Sequence, residues 1–301
     1  MTTVLITGAN SYVGNCIKKW LSDCDGSYQV EEVDTIGDAW EAADFSRFDT
    51  VIHVAAIVHL KETPSMAGLY DKVNAQLPVQ VAEKAIQQGV KHFVFMSTMA
   101  VYPANIPFVD RNTTEAPSTF YGKSKLKAEK ALRELASDSF RISILRPPMV
   151  YGEGCKGNYT SLEAFSHKCH LFPKLYNKRS MLYIWNLCEF IRRIIDAPQP
   201  GARVYYPQNR EQKGALDILK ALWEGRGEKY TLSVAGAWFI SLAMLLPKTG
   251  TLKKVFRDSV YSESMSDYYD YGYCVYSFDE SIKNIVNGNK RNPDSSEISL
   301  T

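Results

Sequence analysis

The sequence predicts an α/β protein: a doubly wound parallel sheet followed by a smaller C-terminal α/β lobe. Three observations carry this reading. Short β-rich runs at residues 3–7, 28–33, 50–56, 92–98 and 141–145 are separated by turns and helical patterns over the first half of the chain. The run Thr50-Val-Ile-His-Val-Ala-Ala56 reads as one continuous apolar strand, as in a sheet covered on both faces. The first run ends in Gly8-Ala-Asn-Ser-Tyr-Val-Gly14, and a helical pattern through Ile17, Trp20 and Leu21 follows. Strand, glycine turn and helix in that order open such sheets.

Composition sets the outer limits. The 301 residues are 45% hydrophobic and 23% charged, enough for one large α/β unit with an appended lobe. The net charge is +2 with Lys and Arg spread along the chain, which gives no field arguing for nucleic acid. Cys16, Cys24, Cys155, Cys169, Cys188 and Cys274 lack close repeated spacing and are expected as reduced thiols. His167-Lys-Cys169-His170 has no second paired cluster beside it, so no metal is expected. The N-terminus runs into a strand at Val4 with no charged leader pattern, and a cytoplasmic location is expected. The apolar run 234–246 falls short of the ~20 residues a spanning helix takes. A buried helix or a partner-facing lid is expected there, ahead of a membrane contact.

The elements follow in order. Gly8 permits the tight turn after the first strand, and Gly14 lets the next helix lie close on that strand. Together they aim backbone N–H groups and a helix N-terminus at a phosphate. The second strand, 28–33, ends in Asp34; between Asp34 and Asp49 there is little room for a full helix and a third strand. Val73, Leu77, Val81 and Ala85 predict an amphipathic helix over about residues 70–88, closed by Gly89. The strand 92–98 carries hydroxyls at its C-terminal end, the edge where ligands bind in doubly wound sheets. The loop to Thr119, with Pro103, Pro107, Asp110 and Pro117, reads as a lid. Tyr121-Gly-Lys-Ser-Lys125 then opens a helix, with a phenol and an ammonium one turn apart on one face. After the strand 141–145 come Arg146-Pro-Pro-Met-Val-Tyr-Gly152 and, later, Lys178-Arg-Ser-Met-Leu-Tyr-Ile-Trp-Asn-Leu187. The polar tail from Asn287 is expected to be disordered.

These motifs, with His53-Val-Ala-Ala56 and Thr98-Met-Ala-Val-Tyr102, stand in the order and approximate spacing of the extended short-chain dehydrogenase/reductase family. From about Val4 to about Ile285 the chain resembles that family, and within it the NAD-dependent epimerase/dehydratase enzymes of bacterial nucleotide-sugar pathways. The resemblance implies a Rossmann-like NAD-binding domain over residues 1–150 with catalytic Thr98, Tyr121 and Lys125. A mainly substrate-binding lobe would cover 151–286, with strands that can return to the sheet, and 287–301 would be a tail. Cofactor contacts are implied for Gly8, Asn10, Ser11, Tyr12, Val13, Gly14, Ala55, Ala56, Asn74, Tyr121, Lys125 and Pro148. Asp34 is placed to accept the adenosine ribose hydroxyls and repel a 2′-phosphate, which favours NAD over NADP. Asp44 and Phe45 would flank the adenine. Substrate contacts are implied for Thr98, Tyr121, Asn158, Arg179 and Arg257, with the Arg179 fork on a diphosphate.

Three positions depart from the family pattern. Ser11 replaces the middle glycine, Met149 stands where an asparagine is common, and Trp185-Asn186 replaces an acidic pair. The chemistry implied is hydride transfer at C4 of a UDP-hexose or UDP-N-acetylhexosamine through a 4-keto intermediate, that is, 4-epimerisation. A 4-ketoreductase using NAD(P)H and a non-catalytic NAD(P)-binding protein are the alternatives. Tyrosine must then titrate about 3 units below its usual value of ~10, and Lys125 is expected to help bring that about. A homodimer through paired helices is a further family expectation.

Overall fold

The fold is described from a computed structural model. The described residues are 1–58, 62–246, 252, 255–266 and 268–288; His59, Lys253, Lys254 and the tail 289–301 lie outside them.

The N-terminal part builds β1 (Thr2–Thr7), α1 (Tyr12–Ser22), β2 (Tyr28–Val33), the single turn α2 (Ala39–Ala42) and β3 (Thr50–His53). The chain continues through α3 (Ala67–Tyr70), α4 (Leu77–Gln87), β4 (His92–Met96), β5 (Phe108–Val109), α5 (Phe120–Glu134) and β6 (Arg141–Leu145). Beyond these come β7 (Met149–Tyr151), α6 (Asn158–Lys168), β8 (Leu171–Pro173), β9 (Met181–Tyr183), α7 (Ile184–Asp196) and β10 (Ala202–Tyr205). Last are α8 (Ala215–Gly225), β11 (Thr231–Ser233), α9 (Val234–Ala243), β12 (Val260–Tyr261) and a final helix, Phe278–Val286.

Six strands form one parallel sheet in the order β10-β6-β4-β3-β1-β2. Successive side chains on a strand point to opposite faces, so each strand feeds two cores. Val4, Ile6, Ile52 and Val94 pack with Ile17, Leu21, Leu187 and Ile191 on the α1/α7 face. Leu5, Val51, Phe93 and Phe95 pack with Val81, Ala85, Ala128 and Leu132 on the α4/α5 face. This alternation explains why the strands read as continuous apolar runs. Only α2 separates β2 from β3, so β2 stays at the sheet edge, as the short stretch from Asp34 to Asp49 demands.

The helix expected over 70–88 starts earlier and is not uniform. Between α3 and α4, residues Asp71–Gln76 widen into a π-turn. Pro78 lacks the N–H that an α-helical bond to the Asn74 carbonyl would need, which favours opening the helix there.

After β6 the chain pairs β7 with β9 in a lobe, returns β10 to the main sheet, and then completes the lobe by pairing β11 with β8, both pairs parallel. β5, from the loop before α5, pairs with β12. The buried-helix expectation for 234–246 is corrected: α9 forms there, and none of its residues is buried. It is apolar on every face, so one supporting layer cannot cover it.

Candidate active site

The β1–α1 turn is held by backbone chemistry. Gly8 has φ 106°, and a Cβ on it would stand 2.8 Å from the Ala55 nitrogen. The turn therefore lies directly on the backbone of Ala55 beyond β3. Asn10 takes a left-handed φ of 62°, which asparagine tolerates better than most residues. Ser11 caps α1, its Oγ accepting from Gly14 N at 3.1 Å. That contact explains two residues at once. The hydroxyl proton stays available to a phosphate, and a Cβ on Gly14 would come within 2.6 Å of Ser11 Oγ. Tyr12 and Val13 offer first-turn amides, which no intrahelical carbonyl can satisfy. The Tyr12 ring turns inward and packs against the α1/α7 core.

Asp34 follows β2, and its Oδ1 accepts from Ile36 N at 2.9 Å, fixing the carboxylate in the turn. Asp44 is exposed and accepts from Ser46 N and Oγ, which hold its carboxyl below the usual range. Phe45 has its side chain fully buried with Leu5 and Val51, and its N–H donates to Gln88 Oε1 at 2.5 Å. Asn74 is fully buried in the π-turn. Its amide accepts from Ile57 N and donates to Ile57 O, at 2.8 and 2.9 Å, which braces the loop after β3.

At the C-terminal end of β4, Thr98 opens a short 3₁₀ turn over Met99–Val101. The Tyr121 phenol, in the first turn of α5, lies near the Thr98 hydroxyl, which favours its ionised form. Gly122 makes that approach possible, because a Cβ there would stand 2.2 Å from the Ala100 carbonyl oxygen. Gly122→Ala should therefore pull Tyr121 off Thr98 and lower kcat by about a hundredfold, with much less effect on cofactor affinity. Steady-state kinetics beside a cofactor titration checks this. Pro148, after β6, is buried, and the carbonyl of its neighbour Pro147 accepts from Met99 N at 2.9 Å.

Lys125 is almost fully buried. Its Nζ donates to Met96 O at 2.7 Å and lies 4.6 Å from the Phe95 ring centre. Burial pulls the ammonium down to about 7 against the pull of Glu129, and burial pushes the Tyr121 phenol up to about 12 against the Thr98 hydroxyl. In this geometry the ammonium is turned to the strand carbonyl, and desolvation outweighs charge at the phenol. His53 is a packed residue. Its Nδ1 meets Thr7 Oγ1 at 2.8 Å, and burial lowers it to about 3. His92 is similarly lowered to about 4.

These shifts set the pH dependence of stability. Lys125 releases its proton near 7 in the fold but near 10.5 in the unfolded chain. Between those values the unfolded chain holds the extra proton, so stability rises with pH, and Lys125→Met should flatten that rise. His53 and His92 titrate near 6.5 when unfolded, so stability is lost as pH falls from 6.5 toward about 4. Urea midpoints measured across pH, for wild type and Lys125→Met, read both slopes.

Behind the site lies a buried ion network. Arg146 and Glu129 are both 0% exposed. Arg146 Nε donates to both Glu129 oxygens at 3.0 and 3.1 Å, its Nη1 to the Tyr102 hydroxyl at 2.7 Å, and its Nη2 to Glu115 at 2.9 Å. Ser97 Oγ also donates to Glu129. The network ties α5 to the ends of β4 and β6. Glu62 crosses the start of α5 and accepts from Phe120 N and Tyr121 N at 2.9 and 3.0 Å, a favourable place for a negative charge. Motif reading found neither Glu129 nor Glu62. The only hint was the spacing Lys125-x-x-x-Glu129, one further turn along the same face.

On the lobe, Arg179 forms an isolated bridge with Ser259 just ahead of β9, which pairs with β7 directly after the Arg146–Pro148 segment. Arg179 is half-buried, and burial lowers its guanidinium against the opposing charge of Asp258. Among the described residues its side chain has no hydrogen bond or ion pair. Asn158, the first residue of α6, and Arg257 are exposed. His170 pairs with Glu228 Oε2 at 3.1 Å, and among the described residues no three His, Cys, Asp or Glu gather as a metal site.

A parallel sheet with a phosphate-ready turn at one strand end and a Thr/Tyr/Lys set at another defines a short-chain dehydrogenase/reductase type of enzyme. The chain belongs to the NAD dependent epimerase/dehydratase family, whose model matches residues 4–205. It is 31% identical over 247 residues to UDP-glucose 4-epimerase of Vibrio cholerae, covering 73% of this chain and 74% of that one. It is 32% identical over 219 residues to N-acetyl-alpha-D-glucosaminyl-diphospho-ditrans,octacis-undecaprenol 4-epimerase of Escherichia coli O157:H7, covering 67% and 66%. The fold is similar to that of UDP-glucuronic acid 4-epimerase from Bacillus cereus, solved with NAD, at a TM-score of 0.68 and 16% identity over 96% of this chain and 100% of that one.

Proposed function

We propose that the protein is an NAD-dependent 4-epimerase acting on a sugar 1-diphosphate, with a UDP-hexose or UDP-N-acetylhexosamine as substrate. The observation that carries this reading is Arg179: a half-buried guanidinium with no hydrogen bond or ion pair among the described residues and only the Asp258 charge opposing its burial, on the lobe that follows the Thr98/Tyr121 strand edge. A diphosphate would supply the missing charge, and a guanidinium fork matches two phosphate oxygens. Asn158 and Arg257 are proposed as further substrate contacts. The substrate named for the Escherichia coli relative shares the sugar-diphosphate part with UDP-sugars, so Arg179 would serve either.

The residues of the β1–α1 turn fit NAD. Gly8 leaves the room a Cβ would fill, Ser11 keeps a hydroxyl proton, and Asp34 is held at the end of β2. When bound, NAD would accept a hydride from the sugar C4 and return it, its cationic ring favouring the phenolate. Thr98 would hold the C4 oxygen, Tyr121 would take and return its proton, and Lys125, one helical turn along α5, would add positive charge to the site. Asn74 and Pro148 would keep the nicotinamide-side loops in place.

Incubation with UDP-glucose, UDP-galactose and their N-acetyl forms, without added cofactor, tests the reading. C4 epimers without net NADH support it, and their absence with every sugar contradicts it. Arg179→Ala should raise KM about 10–100-fold with cofactor affinity unchanged, the scale of a lost charge-assisted hydrogen bond. A KM within twofold of wild type would remove Arg179 from the substrate site.

A further inference from the structure

Helix α9 and the residues after it leave an apolar surface uncovered. Val234, Trp238, Phe239, Leu242, Leu245 and Leu246 are exposed, Trp238 at 66% and Leu245 at 79%. The helix is held to the lobe by little: its Ser233 cap, and Ile240 and Met244 packed against the small cluster of Phe172, Trp223 and Phe256. Leu171, on the β8 strand beneath it, is also exposed. A helix that is apolar all round belongs in a protein core or in lipid.

We propose that α9 docks the protein on an anionic lipid bilayer, entering one leaflet from the membrane surface. Length limits the depth. Ten residues make a helix of about 15 Å, half the ~30 Å hydrocarbon thickness, and among the described residues no helix is long and apolar enough to cross a membrane. The adjacent rings of Trp238 and Phe239 suit the level between headgroups and acyl chains. Charge identifies the occupant. From Lys229 through Arg257 the sequence carries Lys229, Lys248, Lys253, Lys254 and Arg257 and no Asp or Glu, although the whole chain is only +2. Apolar surface within a purely cationic stretch is the combination that anionic bilayers attract. The proposal does not depend on which sugar the active site takes.

Co-sedimentation of the full chain with vesicles tests it. Vesicles mixing phosphatidylglycerol into phosphatidylcholine should carry the protein down, and pure phosphatidylcholine should carry down less. Trp238→Ser with Phe239→Ser should lower the bound fraction at least about tenfold, because bound strength follows the apolar area inserted. Far-UV circular dichroism and turnover of a water-soluble substrate should stay at wild-type values in that variant. Val234→Ser with Leu245→Ser, at the two ends of the segment, should repeat the loss should the first pair misfold. Wild-type protein left in the supernatant with the mixed vesicles, or both variants binding as well as wild type, would overturn the proposal. Loss of a dimer in the variants, with no vesicle binding by wild type, would also overturn it and assign the surface to a second copy.

Discussion

Tyr121→Phe should lower turnover by about a thousandfold while leaving the fold and NAD affinity near wild type. The phenol oxygen lies near the Thr98 hydroxyl, and removing it deletes the proposed proton acceptor without opening a cavity. General acid–base groups contribute between about a hundredfold and ten-thousandfold, so the loss should lie within that range. Lys125 and the β1–α1 turn are untouched, so a cofactor titration should barely change. Thr98→Ala should cost less, since it removes an orienting hydrogen bond and leaves the base. Equal activity in Tyr121→Phe would require another proton acceptor.

Glu129→Gln should destabilise the protein by about 3–5 kcal/mol, the scale of breaking a fully buried ion pair. Arg146 and Glu129 are both completely inaccessible, so the guanidinium left behind has no water to turn to. Glu115 alone remains to compensate, and it is more than a third exposed. The double replacement Glu129→Leu with Arg146→Met should recover much of the loss, because it leaves no charge unpaired. A urea-midpoint series with both variants reads the difference. A cost of the single change below about 1 kcal/mol would show that the network does not hold α5 to the sheet. The same series should show falling kcat, since α5 carries Tyr121 and Lys125.

The parts of the site that can be read from the sequence are those whose chemistry is local. Gly8, Ser11 and Gly14 act within one turn, and the Tyr121–Lys125 pair is one helical turn. The cut-down crossover after Asp34 follows from counting residues. Contacts made across the fold are hidden. Glu62 reaches the start of α5 from 58 residues away, and Glu129 meets Ser97 and Arg146 from other elements. Position alone does not reveal that Gln88 takes the Phe45 amide. The pKa order of Tyr121 and Lys125 also escaped the sequence, since it depends on which carbonyl the ammonium faces. The exposure of α9 was missed for the opposite reason: apolar runs usually find a cover, and this one does not.

The central claim is that hydride leaves and returns at one carbon of the sugar. UDP-galactose and UDP-N-acetylgalactosamine carrying deuterium at C4, incubated with the protein without added cofactor, test it most directly. The C4 epimer should form with deuterium still at C4 and none exchanged with solvent. Deuterium lost to water, or no epimer from either labelled sugar, would contradict it.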